Sequence, residues 1–136
     1  MISPDLDSFR TFLHILAASV WVGGQIVLGG LVPQVRKSSP DALKSIANAF
    51  GRVAWPAFGI AVITGMWNIM AVDVSGMDSS YQITLALKVA AVALAGIAAA
   101  AHANTKSKLV LALGGAIGLL ASLGALYIGV LLGTAS

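Results

Sequence analysis

The sequence predicts an all-α protein, a four-helix integral membrane bundle with both termini outside. Three observations predict it. Only 10% of the residues are charged and 58% are hydrophobic, whereas soluble domains carry roughly 25% charged residues, so this chain cannot coat a globule with polar groups. Four apolar runs, about 9–34, 53–74, 81–103 and 109–133, each reach the ~20 residues that a bilayer crossing needs. None of them alternates apolar with polar residues, so they read as helices that satisfy their own backbone rather than as barrel strands. The whole chain, 1–136, reads as one domain of four spans.

The first run opens LHILAASVWVGGQIVLGG from Leu13. It lacks the basic leader of a signal peptide and is too long for its apolar core, so it is expected to be retained as a span. The segment after it is polar, and Ser39-Pro40-Asp41 has the pattern of an N-cap, a first helical proline and a first-turn acid. Leu43, Ile46, Phe50 and Val53 then recur at helical spacing. They form either an amphipathic interfacial turn running into span two or an extension of it that simply packs. SGMDSS at 75–80 is a short polar turn between spans two and three. Span four carries Gly114 and Gly118 at the spacing of a small-residue packing seam. Gly23-Gly24, Gly29-Gly30 and Ser19 give span one similar faces, suited to packing within the bundle or to dimerisation.

Charge sets the expected topology. Arg36, Lys37, Lys44, Arg52, Lys106 and Lys108 fall on one side and only Arg10 on the other, a count of six Lys/Arg against one. The positive-inside rule places loops 35–52 and 104–108 in the cytoplasm. The net charge of +3 therefore reflects membrane orientation, and nucleic acid is not an expected partner. The chain has no cysteine, which excludes disulfides, thiolate metal sites and thiol nucleophiles. It has no hydrolase triad, phosphate loop or zinc-helix motif, and no reaction on a soluble substrate is assigned.

With that topology every span offers a polar or aromatic side chain near the outer face. From the span ends, His14 lies about 8 Å deep, Lys88 about 10 Å, Thr64, Trp67 and Asn68 about 9–15 Å, and Tyr127 about 9 Å. Arg10, His14, Trp21 and Gln25 share one helix face, as do Thr84 and Lys88. An ionisable residue inside a membrane is a candidate functional group. His14 is a candidate ligand or proton carrier, and packing is its alternative. Lys88 is either part of that site or a residue whose stem snorkels to the interface. Met66 and Met70, one turn apart, are soft thioethers suited to copper or else ordinary packing residues. His102, some 20 Å deeper than His14, reads as interfacial.

The stretch LHILAASVWVGGQIVLGGLVPQVR resembles the opening helix of the copper-resistance-D-like (CopD-like) membrane domain, with its leucine-histidine, Trp-x-Gly-Gly and later basic loop. ITGMWN in span two and LALKVAAVALAG in span three resemble the same family. The resemblance implies a four-helix module of a bacterial inner (plasma) membrane that handles copper, with His14 and Lys88 as functional positions. The pairing of a first-helix histidine with a third-helix lysine also resembles HemJ-type membrane proteins. That similarity implies His14 and Lys88 near a b-type haem.

Three functions follow as expectations. In the first, the protein binds or moves a copper ion from the outer side through His14, Met66 and Met70. In the second, it is a haem b protein or HemJ-like redox enzyme, with His14 as axial ligand, Lys88 as second ligand or propionate partner, and Trp67, Asn68 and Tyr127 around the macrocycle. In the third, it is a non-catalytic subunit whose Ala/Gly faces meet copies of itself or other membrane subunits in the lipid bilayer.

Overall fold

The computed structural model describes residues 2–134 and is all-helical, with no strand among them. Four long helices follow one another: α1 (Leu6–Ser38), α2 (Ala42–Ala71), α3 (Ser79–Asn104) and α4 (Lys108–Thr134), with a short 3₁₀ turn at Val74–Gly76. All four are long and apolar enough to cross a membrane, so the chain is a multi-pass membrane protein in contact with lipid. The helices group as two compact units, Met1–Val72 and Asp73–Ser136, each an antiparallel helical pair.

The expected spans are all present, with shifted ends. α1 runs on through Arg36 and Lys37 to Ser38, so the expected cytoplasmic loop 35–52 is mostly helix. Ser39 is not the N-cap of the next helix. Its N–H closes α1 on Val35 O at 2.8 Å, and its carbonyl accepts from Ala42 N at 2.9 Å across the reversal. Asp41 takes the cap position of α2 in a helical conformation and makes no side-chain cap bond. Leu43, Ile46, Phe50 and Val53 lie on one continuous helix that runs into span two.

α2 stops at Ala71, before the expected 74, because Asp73 turns back on itself. Its side chain accepts from Gly76 N and from Ser75 Oγ, which tightens 74–76 into the 3₁₀ turn. Asp78 then caps α3 by accepting from Tyr81 N at 2.8 Å. Gln82 ties the turn to α3, donating to Val74 O and Met77 O at 3.0 Å each.

The first pair closes through large side chains. Trp21 of α1 lies 4.6 Å from the Phe58 ring and 5.3 Å from the Trp55 ring, centroid to centroid, within the range of favourable tilted aromatic packing. Ala17, Val22, Ala54 and Ala57 are buried around them. Gly24 lies under Phe50, where a Cβ would stand 3.3 Å from the ring.

The second pair closes through small residues. Gly114, Gly118, Ser122 and Ala125 are the buried residues of α4, spaced at successive turns, and Ala95 and Ala98 are those of α3. A Cβ on Gly114 would meet Ala98 O at 2.9 Å, which is backbone and cannot give way. The glycine spacing of span four thus serves packing within the pair.

Candidate functional site

Away from its turn, the first pair is joined by two polar rungs. Arg10 and His14 are one turn apart on α1; Asn68 and Thr64 are one turn apart on antiparallel α2. The pairs therefore meet in register.

In the outer rung, Arg10 Nε donates to Asn68 Oδ1. Its Nη1 donates to Asp7 Oδ1 at 2.9 Å, and its guanidinium carbon sits 5.6 Å from the Trp67 ring centroid, within cation–π range. Arg10 is only 9% exposed, and this set of partners is what allows a charge to be held at that position.

In the inner rung, His14 Nδ1 lies 2.9 Å from Thr64 Oγ1. Thr64 is buried, and its hydroxyl lies 2.7 Å from Ile60 O, one turn back on its own helix. A hydroxyl has a single proton and a carbonyl only accepts. With that proton on Ile60 O, the rung requires Nδ1–H of His14 to donate to Thr64. In the neutral form of the ring the lone pair is then on Nε2. Gly65 makes the space, since a Cβ there would stand 3.4 Å from His14 Cε1.

Of the stripe expected on α1, Arg10, His14 and Trp21 meet α2. Arg10 and Trp21 are buried and His14 and Gln25 half-buried, with Gln25 Nε2 donating to Trp21 O at 3.0 Å. Trp67 and Asn68 are brought to Arg10. Met66 and Met70 are not brought to His14. Each lies two residues beyond a residue bonded to α1, which is about 200° around the helix. They are 58% and 82% exposed on that far side.

In the second pair, Lys88 is half-buried and its Nζ would stand 2.9 Å from a Cβ on Gly129. His102 lies against Leu111, and Ala98 against Gly114, pairings that put the Lys88 backbone level with about Ala125. The ammonium is thus carried four residues, roughly 6 Å, toward the end where α3 begins. This is the snorkelling direction, the one in which a helical side chain naturally leans. Thr84 turns its hydroxyl proton back to Ser80 O at 2.7 Å. Tyr127 lies on the surface of α4, 64% exposed. His102 is exposed near the α3–α4 turn and its Nδ1–H donates to Leu111 O at 2.6 Å, an interhelix clamp for which Gly114 and Gly115 make room.

Sequence reasoning did not single out Asp7 as the partner of Arg10, Gly65 beside His14 or Gly129 beneath Lys88. A signal for the rungs was present in the matched one-turn spacings Arg10/His14 and Thr64/Asn68. Compared with family models, curated proteins and solved structures, the chain matches none.

Proposed function

We propose that this membrane protein binds a metal centre through His14 and that its cargo is copper, bound or moved from the outer side of the plasma membrane. The observation that carries the reading is the Nδ1–H bond to Thr64, which orients the imidazole and sets Nε2 as its lone-pair nitrogen in the neutral form. Metal-bound histidines regularly donate their other ring N–H to a fixed acceptor in this way. Imidazole suits copper, and Met66 and Met70 supply a thioether pair one turn apart. That pair and His14 lie on opposite sides of α2, so in this reading they act as two ligand groups and not as one centre.

The same separation favours a second reading, haem b with His14 Nε2 as axial ligand. Such a site needs one oriented imidazole and no thioether. Bound haem would supply one-electron chemistry, and the chain would contribute position and electrostatics. A third reading, a subunit of a membrane assembly, draws on Gly23, Gly29, Gly30 and Gly59, where a Cβ would meet nothing within 4 Å.

The test is the visible spectrum of protein purified in mild detergent after expression with ample haem, oxidised and then dithionite-reduced, followed by Cu(I) titration of the same sample. Saturable copper binding that is lost in His14→Ala supports copper. A Soret band that shifts on reduction and disappears in His14→Ala supports haem. Absence of both, or His14→Ala behaving as wild type, overturns the metal reading and leaves the assembly subunit.

A further inference from the structure

The guanidinium of Arg10 has three partners and N–H groups to spare. Nε–H goes to Asn68, one Nη1–H goes to Asp7, and the Trp67 ring lies over the group. Of the five N–H groups of an arginine, this leaves both on Nη2 and one on Nη1. No hydrogen bond among the described residues uses them. Yet no fully buried side-chain nitrogen among those residues lacks a partner. Nη2, which has no partner, therefore reaches the surface, although the residue as a whole is 9% exposed. The result is a cation shielded over most of its area, with Nη2 at the surface beside the Nη1 that Asp7 occupies.

The Asp7 contact is of a different kind from the others. The Asp7 side chain is 75% exposed against 11% for Arg10. An ion pair with one partner so exposed contributes little, in the range of about 0.2–1 kcal/mol. Asn68 and Trp67 fix the guanidinium from α2, while Asp7 reaches it from one turn earlier on α1. The carboxylate stands where an incoming oxyanion would stand.

We propose that Arg10 is an oxyanion-binding point at the open end of the α1–α2 pair, that its ligand is a phosphate group, and that Asp7 is a displaceable internal occupant of the same position. Planar guanidinium edges match phosphate oxygens with two parallel hydrogen bonds, and a pre-oriented edge loses little side-chain entropy on binding. The phosphate comes from a lipid headgroup at the membrane surface or from the free ion. Asp5 and Asp7 are the acidic groups of α1 near this end; both oppose an anion, so the site works by local geometry and not by net charge. The inference is independent of any metal at His14.

The experiment follows the Nε–H resonance of Arg10 in the full-length protein, selectively ¹⁵N-labelled on arginine, in a phosphate-free maltoside micelle. The chain has three arginines, and loss of one peak in Arg10→Gln assigns the signal. The probes are inorganic phosphate, dihexanoyl phosphatidylglycerol and, as a charge control, dodecyltrimethylammonium. A saturable shift with phosphate identifies the free ion as sufficient, whereas a shift with the lipid alone identifies the headgroup; both support the site. Asp7→Asn keeps Arg10 and its two α2 contacts, and removes the competing carboxylate. It is expected to tighten binding about two- to five-fold, the equivalent of losing an exposed ion pair. No saturable shift with either phosphate probe, an equal shift with the cationic amphiphile, or weaker binding in Asp7→Asn overturns the proposal.

Discussion

Where α1 meets α2, long side chains touch, whereas where α3 meets α4, backbone approaches backbone. The first pair spends an arginine, a histidine, a threonine, an asparagine and three aromatic rings on its seam. The second sets Gly114 and Gly118 against Ala95 and Ala98. Both answer the same problem. In lipid the hydrophobic effect does not drive helices together, so association rests on dispersion at close range or on polar bonds. Close approach uses small residues and leaves no room for chemistry. Polar bonding holds helices farther apart and places groups that can bind something. That is why the candidate ligand His14 and the open edge of Arg10 both belong to the first pair, while Lys88 in the second is led away across Gly129.

The largest expected effect lies in the aromatic cluster. Trp21→Ala removes the ring that touches both Trp55 and Phe58, and a loss of about 3–5 kcal/mol is expected by analogy with large core truncations. Thermal denaturation in detergent, followed by near-ultraviolet circular dichroism, measures it. A change under about 1 kcal/mol would mean that the first pair does not depend on its rings, and the contrast between the pairs would fail.

The next effect separates glycines that pack from glycines that do not. Gly114→Ala drives a methyl group into Ala98 O and should destabilise by about 1–3 kcal/mol. Gly23→Ala enters open space and should be neutral or stabilising, by up to about 1 kcal/mol, from helix propensity. Equal melting temperatures for the two variants would erase the distinction.

Thr64→Val tests the inner rung at nearly constant volume. It leaves Nδ1 of a half-buried His14 without its acceptor and should cost about 1–3 kcal/mol, whereas Thr64→Ser should restore most of it. ¹⁵N shifts of the imidazole give a second readout. The wild type should hold the Nδ1–H tautomer, and Thr64→Val should show a tautomer mixture.

The smallest effect is at the α1 N-terminus. Asp5 accepts from Ser8 N at 2.7 Å while Ser8 Oγ accepts from Asp5 N at 2.9 Å, forming a capping box. The Ser8 backbone bond, followed by the Ser8 side chain, holds the Asp5 carboxyl below its ordinary 3.8. A lowered folded-state value means that the cap contributes fully above the ordinary carboxylate range and fades as pH falls through the folded-state value. The Ser8 amide resonance should therefore titrate with a midpoint below 3.8. A midpoint at or above it would remove the cap from the account.

The helices were legible because each needs only local information. Span length, absence of alternation and scarcity of charge all act within one segment, and lipid forces such a segment to be helical. The ends were less legible. Ser39 has the chemistry of an N-cap, but its N–H closes α1, and which of two adjoining helices claims a residue depends on how tightly the chain reverses. Within the site, the face shared by Arg10, His14, Trp21 and Gln25 could be read from the 3.6-residue period, and so could the one-turn spacing of Met66 and Met70. Their direction could not. A step of one residue turns a side chain by about 100°, so whether the methionines meet His14 depends on which face of α2 lies against α1.

The sequence alone therefore determined that this is an all-α membrane protein with four spans, where its glycine seam lies, and which side chains are candidates for chemistry. These follow from composition and period, which are properties of single segments. Only the tertiary structure decided that Thr64 orients His14, that Asn68, Trp67 and Asp7 surround Arg10, that Gly129 clears the path of Lys88, and that Met66 and Met70 face away. Apart from Asp7, which sits one turn from Arg10 on the same helix, each depends on register and rotation between two consecutive helices. A small shift in either brings a different residue to the contact without altering the helices themselves.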